Sequence, residues 1–249
     1  MSLEALASWR RAAAEVLFPR ACALCGREPE AAETAAFCPE CHTLLQPPAS
    51  AVCGRCALPC PEYQASLGRC VHCQNQKLRF DGAVALGPYE AALRQVVLKI
   101  KHAEFEPLAF EVAALLAEQI KRHPLGNTRQ LVAHVPMHWL RRWWRGASAA
   151  EILARRIARE LRLPLYPDML RCRRMLRRQS TLTPPQRRLN VRRAYALSAG
   201  FDIRGAHVLL VDDVLTTGAT AGECSRALRK AGAQSILVAT LARGTGELT

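Results

Sequence analysis

Residues 208–220 read VLLVDDVLTTGAT. Four apolar residues, Val208 to Val211, run straight into Asp212 and Asp213, and small hydroxylated residues follow. The apolar run predicts a fully buried strand that ends at Val211, and residues 220–232 (TAGECSRALRKAG) predict a helix that begins near Ala219 and is closed by Gly232. Thr216, Thr217, Gly218, Ala219 and Thr220 then sit at a helix N-terminus, where free amides and the positive end of the helix dipole favour an anion. Carboxylates repel phosphate, so Asp212 and Asp213 must meet something else, either hydroxyl groups or a cation. A ligand with vicinal hydroxyls at one end and a phosphate at the other satisfies both halves, and ribose 5-phosphate is such a ligand. The stretch is neither a Walker loop, lacking Gly-Lys-Ser/Thr, nor a G-x-G-x-x-G dinucleotide fingerprint.

Outward from that stretch, residues 80–245 alternate apolar strands with amphipathic helices, the pattern of an α/β parallel sheet flanked by helices. Strands are predicted at 82–87 (GAVALG), 131–136 (LVAHVP), 207–211 and 235–242 (SILVATLA). Helices are predicted with Leu93, Val96, Val97 and Ile100 on one face, over 107–121, and after Ser148, whose hydroxyl can N-cap AAEILARRIARELR with Glu151 completing a capping box. Residues 1–20 read as an amphipathic helix ended by Pro19, suited to packing or partner docking, or to a membrane surface. That start is too charged for a secretory signal, and no apolar run is long enough to span a membrane, so a reducing, cytoplasmic setting is expected.

Residues 21–78 hold most of the 11 Cys, arranged as four C-x-x-C pairs: Cys22/Cys25, Cys38/Cys41, Cys53/Cys56 and Cys70/Cys73. Each pair forms a tight turn that aims two thiolates at one tetrahedral ion, and two turns close a four-thiolate shell. Two structural Zn2+ ions are therefore predicted. Sequential pairing gives two zinc ribbons, and spacing equally allows an interleaved brace. Cys60 is a spare thiol or an alternative ligand, His42 and His72 stand where they could substitute, and Cys172 and Cys224 read as buried small residues. With few large apolar groups, the module depends on metal rather than burial to fold.

The formal charge is +14, and nineteen Lys and Arg against three acids fall between Lys121 and Gly200. A block so rich in Arg points to phosphate or nucleic acid. Within it, Trp139, Trp143 and Trp144 interleave with Arg141, Arg142 and Arg145, the composition of a surface for single-stranded nucleic acid, although core packing of these Trp is the alternative.

VLLVDDVLTTGAT closely resembles the PRPP-binding motif of type I phosphoribosyltransferases. Together with LFPRACALCG (17–26), VVLKIKHAEFEPLA (96–109), VPMHWLRRWWRG (135–146) and QSTLTPPQRRLNVRRAY (179–195), the chain resembles the ComF/GntX family of competence and DNA-utilisation proteins. Gln179, Arg187 and Asn190 hold that family's spacing. The chain departs from the family's Arg-Gly-Phe-Asn-Gln segment, reading Arg145-Gly146-Ala147-Ser148-Ala149.

The resemblance implies a double zinc ribbon followed by a type I phosphoribosyltransferase-like domain. It implies that Asp212 and Asp213 hold the ribose and steady positive charge at its anomeric carbon, and that residues 216–220 take the 5′-phosphate. Mg2+ would accompany PRPP, with Lys99, Lys101 and Arg145, beside Arg141 and Arg142, as the cations facing pyrophosphate, and with Arg187 on a Pro-flanked lid. Three functions follow. The first is a DNA-uptake or DNA-utilisation protein with a PRPP or nucleotide site, binding single-stranded DNA and proteins of the uptake machinery. The second is a phosphoribosyltransferase of nucleobase salvage. The third is a zinc-ribbon adaptor with a vestigial ligand site.

Overall fold

In a computed structural model, residues 21–28, 37–47, 50–140, 148–177 and 182–244 are described. The helix predicted over residues 1–20 lies outside them, as do Arg141, Arg142, Trp143, Trp144, Arg145 and Gln179. Four parallel strands form the main sheet: β1 (Gly82–Pro88), β2 (Leu131–His134), β5 (His207–Leu215) and β6 (Ser235–Arg243), in spatial order β1-β6-β5-β2. A separate antiparallel pair, β3 (Leu170–Cys172) and β4 (Tyr195–Leu197), makes a second small sheet.

The main sheet is covered on both faces, and for that reason its strands are apolar at consecutive rather than alternate positions. One face, with Val84, Leu86, Val132, Leu209, Val211 and Leu237, packs on α3 (Ala91–Lys99), α4 (Glu106–Arg122) and α5 (Ala149–Leu161). The other, with Ala83, Ala133, Val208, Leu210, Ile236 and Val238, packs on α7 (Ala219–Lys230) and the β3–β4 pair. Ser148 caps α5, its Oγ accepting from the Glu151 amide at 3.1 Å. Two short helices, α1 (Pro39–Leu45) and α2 (Glu62–Ser66), belong to the cysteine-rich part, and α6 (Pro184–Val191) lies in the Arg-rich block. No helix among the described residues is long and apolar enough to cross a membrane.

Two sequence expectations need correction. β5 does not stop at Val211. It continues through both acids to Leu215, because the equally long β6 offers Thr240, Ala242 and Arg243 as partners to Asp212, Val214 and Leu215. The strand expected over 131–136 ends at His134; Val135 still donates its amide to Val211, and Pro136, which lacks an amide proton, cannot continue the ladder.

The cysteine-rich part is fastened to this core at several points. In its second half, the Gly54 carbonyl accepts from the Ala83 amide at 3.0 Å and from His123 Nε2 at 2.9 Å. The approach is close enough that a side-chain carbon on Gly82 would sit 2.9 Å from the His123 ring and 3.0 Å from that carbonyl. In its first half, Lys99 Nζ donates to the carbonyls of Ala23 and Leu24 at 2.6 and 2.9 Å, and Cys22, Leu24, Phe37 and Leu45 join the core beneath α3.

Candidate functional site

Asp212 and Asp213 stand at the C-terminal end of the parallel sheet, where open α/β sheets place their ligands. Both are half-buried. Burial pushes the Asp212 carboxyl well above the usual carboxylate range and the charge of Asp213 adds to the effect, while the Asp213 amide, donating to Asp212 Oδ1 at 2.9 Å, and Lys101 oppose it. Lys101 Nζ lies 3.6 Å from Asp213 Oδ2. Two acids and one cation thus share a small volume, in which burial disfavours the charged form of Asp212. A cation or a pair of hydroxyl donors beside it would favour that form.

The chain leaves β5 at Leu215 and turns through Thr216, Thr217 and Gly218 into α7. Gly218 is the N-cap residue at φ 71°, a left-handed conformation that glycine adopts without strain. A side-chain carbon there would stand 3.6 Å from the Phe80 ring, an ordinary contact, so the backbone conformation rather than space calls for glycine. The Thr217 hydroxyl accepts from the Ala219 amide at 3.4 Å. From across the loop comes Arg187, in α6: its Nη1 donates to Thr216 Oγ1 at 3.3 Å and its Nε to the Leu182 carbonyl at 3.0 Å. α6 has a local start signal that pattern reading overlooked, a capping box in which the Gln186 side chain accepts from the Thr183 amide at 3.0 Å, with prolines filling the first turn.

The structure therefore brings together Asp212, Asp213, Lys101, Arg187 and residues 216–220. Lys99, expected among them, has its ammonium occupied by the Ala23 and Leu24 carbonyls and lies 5.3 Å over the Phe105 ring. Asn190 clasps the backbone of Arg177, accepting from its amide at 3.1 Å and donating to its carbonyl at 3.0 Å.

The eight paired cysteines assemble in sequential order, Cys22, Cys25, Cys38 and Cys41 in one group and Cys53, Cys56, Cys70 and Cys73 in the other. Sulfurs of a tetrahedral zinc shell with bonds of about 2.3 Å stand about 3.8 Å apart. Here Cys53–Cys73, Cys56–Cys70, Cys70–Cys73 and Cys25–Cys38 are separated by 3.7, 3.6, 3.8 and 3.9 Å. Donor set and spacing both fit structural zinc. Cys60 stands outside both groups; Cys224 is buried, and Cys172 is half-buried, its S–H donating to the Arg174 carbonyl at 3.2 Å.

A cleft of about 760 Å3 opens between the second cysteine group, α6 and the start of α7. Lys77, Arg79, Arg188 and Arg192 line it, with Thr217 to Ala219 along one side; Asp212, Asp213 and Lys101 do not. Its one acid, Glu223, is already engaged by Arg79 at 3.1 Å, Arg226 at 2.9 Å and the Arg193 amide at 2.7 Å. Val71 and Leu189, both exposed, add apolar surface. The sequence pattern marked Arg188 and Arg192 as part of a basic block, but Lys77 and Arg79 arrive from the cysteine-rich part, a juxtaposition with no local signal.

Residues 147–247 match the phosphoribosyl transferase domain family, and residues 13–76 match the double zinc ribbon domain family. The chain is 30% identical over 197 residues to Competence protein F of Haemophilus influenzae, a match that covers 77% of this chain and 84% of that protein. It is 27% identical over 228 residues to DNA utilization protein YhgH of Salmonella typhimurium, covering 90% and 97%. A purine phosphoribosyltransferase from Pyrococcus horikoshii Ot3 is 20% identical, aligned over 53% of this chain and 70% of its own, with a TM-score of 0.33.

Elemental analysis of purified protein is expected to find two zinc ions per chain, one for each four-cysteine group. Cys22→Ser removes one of them and Cys53→Ser the other; a full complement in both variants contradicts the assignment. The acid pair gives a second expectation. A carboxyl whose pKa is raised by folding destabilises the folded state as pH rises from the unfolded value, about 3.9, through the folded one. Asp212→Asn therefore raises the melting temperature of the ligand-free protein at pH 7 and has little effect near pH 4. An equal shift at both pH values contradicts the cause given.

Proposed function

This chain belongs to the family of Competence protein F and DNA utilization protein YhgH, and from that membership we propose that it serves DNA utilisation through a site for a phosphorylated ribose, with PRPP and Mg2+ as the ligand. The observation that carries the reading is the convergence of the half-buried acid pair with the glycine-capped loop and two cations. Asp212 and Asp213 accept from the 2′ and 3′ hydroxyls, which relieves the charge crowding that burial imposes on Asp212. The amides and hydroxyls of residues 216–220 hold the 5′-phosphate at the start of α7. Lys101 and Arg187 face the pyrophosphate end, Arg187 from the capped helix that closes over the loop. Mg2+, when bound, neutralises pyrophosphate and lowers the cost of bringing it beside two carboxylates. On this reading residues 21–78 are the zinc-ribbon module and residues 80–245 the ligand-binding domain.

A second ligand is favoured by the cleft. Four cationic side chains, an acid already neutralised by its neighbours, and adjoining apolar surface suit the phosphates and bases of single-stranded DNA. The cleft shares the wall formed by Thr217 to Ala219 with the ribose-phosphate site, so a strand in it lies next to bound PRPP.

PRPP with Mg2+ is expected to raise the melting temperature, by the equivalent of about 2.7 kcal/mol at one hundred times Kd. Replacing Asp212 and Asp213 together with Ala abolishes the shift; an unchanged shift in the double variant removes the acids from the site. For DNA, log affinity should fall with log salt by about 0.7 per phosphate contact. The pair Lys77→Ala and Arg192→Ala should lower that slope by roughly one to two contacts, and a wild-type slope in the pair places the strand elsewhere.

A further inference from the structure

Arg243, the last residue of β6, is among the described residues the largest side chain buried almost completely, with 1% of its surface exposed. Its guanidinium spans two parts of the molecule. Nε donates to the carbonyl of Cys56, a member of the second four-cysteine group, at 2.8 Å. Nη1 donates to the carbonyls of Leu215 at 2.8 Å and Thr216 at 2.6 Å, where the chain leaves β5 for the loop, and also to the Gly244 carbonyl. Nη2 is buried with no hydrogen-bond partner among the described residues. A buried guanidinium needs opposite charge. Through the Cys56 carbonyl it is in direct contact with the second four-cysteine group, and among the described residues no carboxylate stands within ion-pair distance of it. Four thiolates around a dication form a shell that remains net anionic, so a loaded second group supplies what Arg243 lacks.

We infer that Arg243 is a positioning residue that couples the second four-cysteine group to the loop at Thr216–Thr220. Loading of that group holds the guanidinium, and the guanidinium holds the two carbonyls that set the start of the loop. Metal loss or oxidation at Cys53, Cys56, Cys70 or Cys73 then releases the loop, making ligand binding sensitive to zinc and redox state. Among the described residues the first group meets the core through Lys99, which donates to the Ala23 and Leu24 carbonyls, and through apolar packing beneath α3, not through Arg243. The ligand half of this inference rests on the ribose-phosphate reading above; the coupling itself does not.

Amide hydrogen exchange in the full chain tests the coupling without any ligand. Loss of charge-assisted hydrogen bonds of this kind changes an opening equilibrium about ten-fold or more. Stripping zinc from the wild-type protein is expected to speed exchange across residues 214–220 by about that factor, while Leu209–Val211 in the centre of β5 stay protected. Arg243→Met is expected to do the same with zinc present, and to speed one of the two phases of zinc release to a chromophoric chelator. Arg243→Lys, which keeps the charge, restores slow zinc release but not the protected loop. Wild-type loop exchange after zinc removal overturns the inference, and that comparison needs no variant to fold. Unchanged zinc release in a folded Arg243→Met protein overturns it equally. PRPP titration separates the two readings: coupled exchange in a protein that does not bind PRPP leaves the coupling standing and removes the ligand.

Discussion

Nine residues of β5 run in parallel register beside nine of β6, and most of what this protein can do depends on where that pairing ends. The centre of the ladder is apolar on both faces and buried, which sets the layers of helix on either side. Past Val211 the ladder continues but the burial weakens, and there the chain places two acids. Were β5 to stop at Val211, Asp212 and Asp213 would lie in a loop, solvated and independent. Held at the end of the strand, they keep a fixed geometry, with the Asp213 amide donating to Asp212 Oδ1 and Lys101 Nζ 3.6 Å from Asp213 Oδ2. The register also sets Leu215 opposite Arg243, so the site's loop begins at the point where a buried guanidinium can grip it.

Much of this was legible in the sequence because the governing signals are local. Continuous apolar runs gave away the buried parallel strands and C-x-x-C spacing the cysteine groups, and an apolar run leading into two acids and a small-residue turn marked the C-terminal end of β5 and the start of α7. What was not legible depends on contacts between distant residues. Where β5 ends is decided by the length of β6, not by Val211. The β3–β4 pair spans only three residues on each side and is separated by a helix, too little pattern to stand out. Lys99 and Lys101 share a motif and differ by two positions, yet one faces the first cysteine group and the other the acids. In the sequence Arg243 is no more than the polar end of a strand, and only the fold shows it buried between a metal group and the loop.

The two cysteine groups occupy different places in the architecture despite their near-identical spacing. The first merges with the core under α3, where Lys99 fastens it. The second meets β1, α4 and β6 through Gly54 and Cys56, and it contributes Lys77 and Arg79 to the cleft beside the loop. Double zinc ribbon and transferase-like sheet therefore make one continuous surface, and a ligand in the cleft would touch both.

The central claim is that the end of β5 and the start of α7 hold a phosphorylated ribose. A crystal structure with PRPP and Mg2+ tests it most directly. The account predicts ribose hydroxyls within hydrogen-bond distance of Asp212 and Asp213 and the 5′-phosphate on the amides of residues 216–220. Density for PRPP confined to the cleft between Lys77 and Arg192, with the acids untouched, would contradict it.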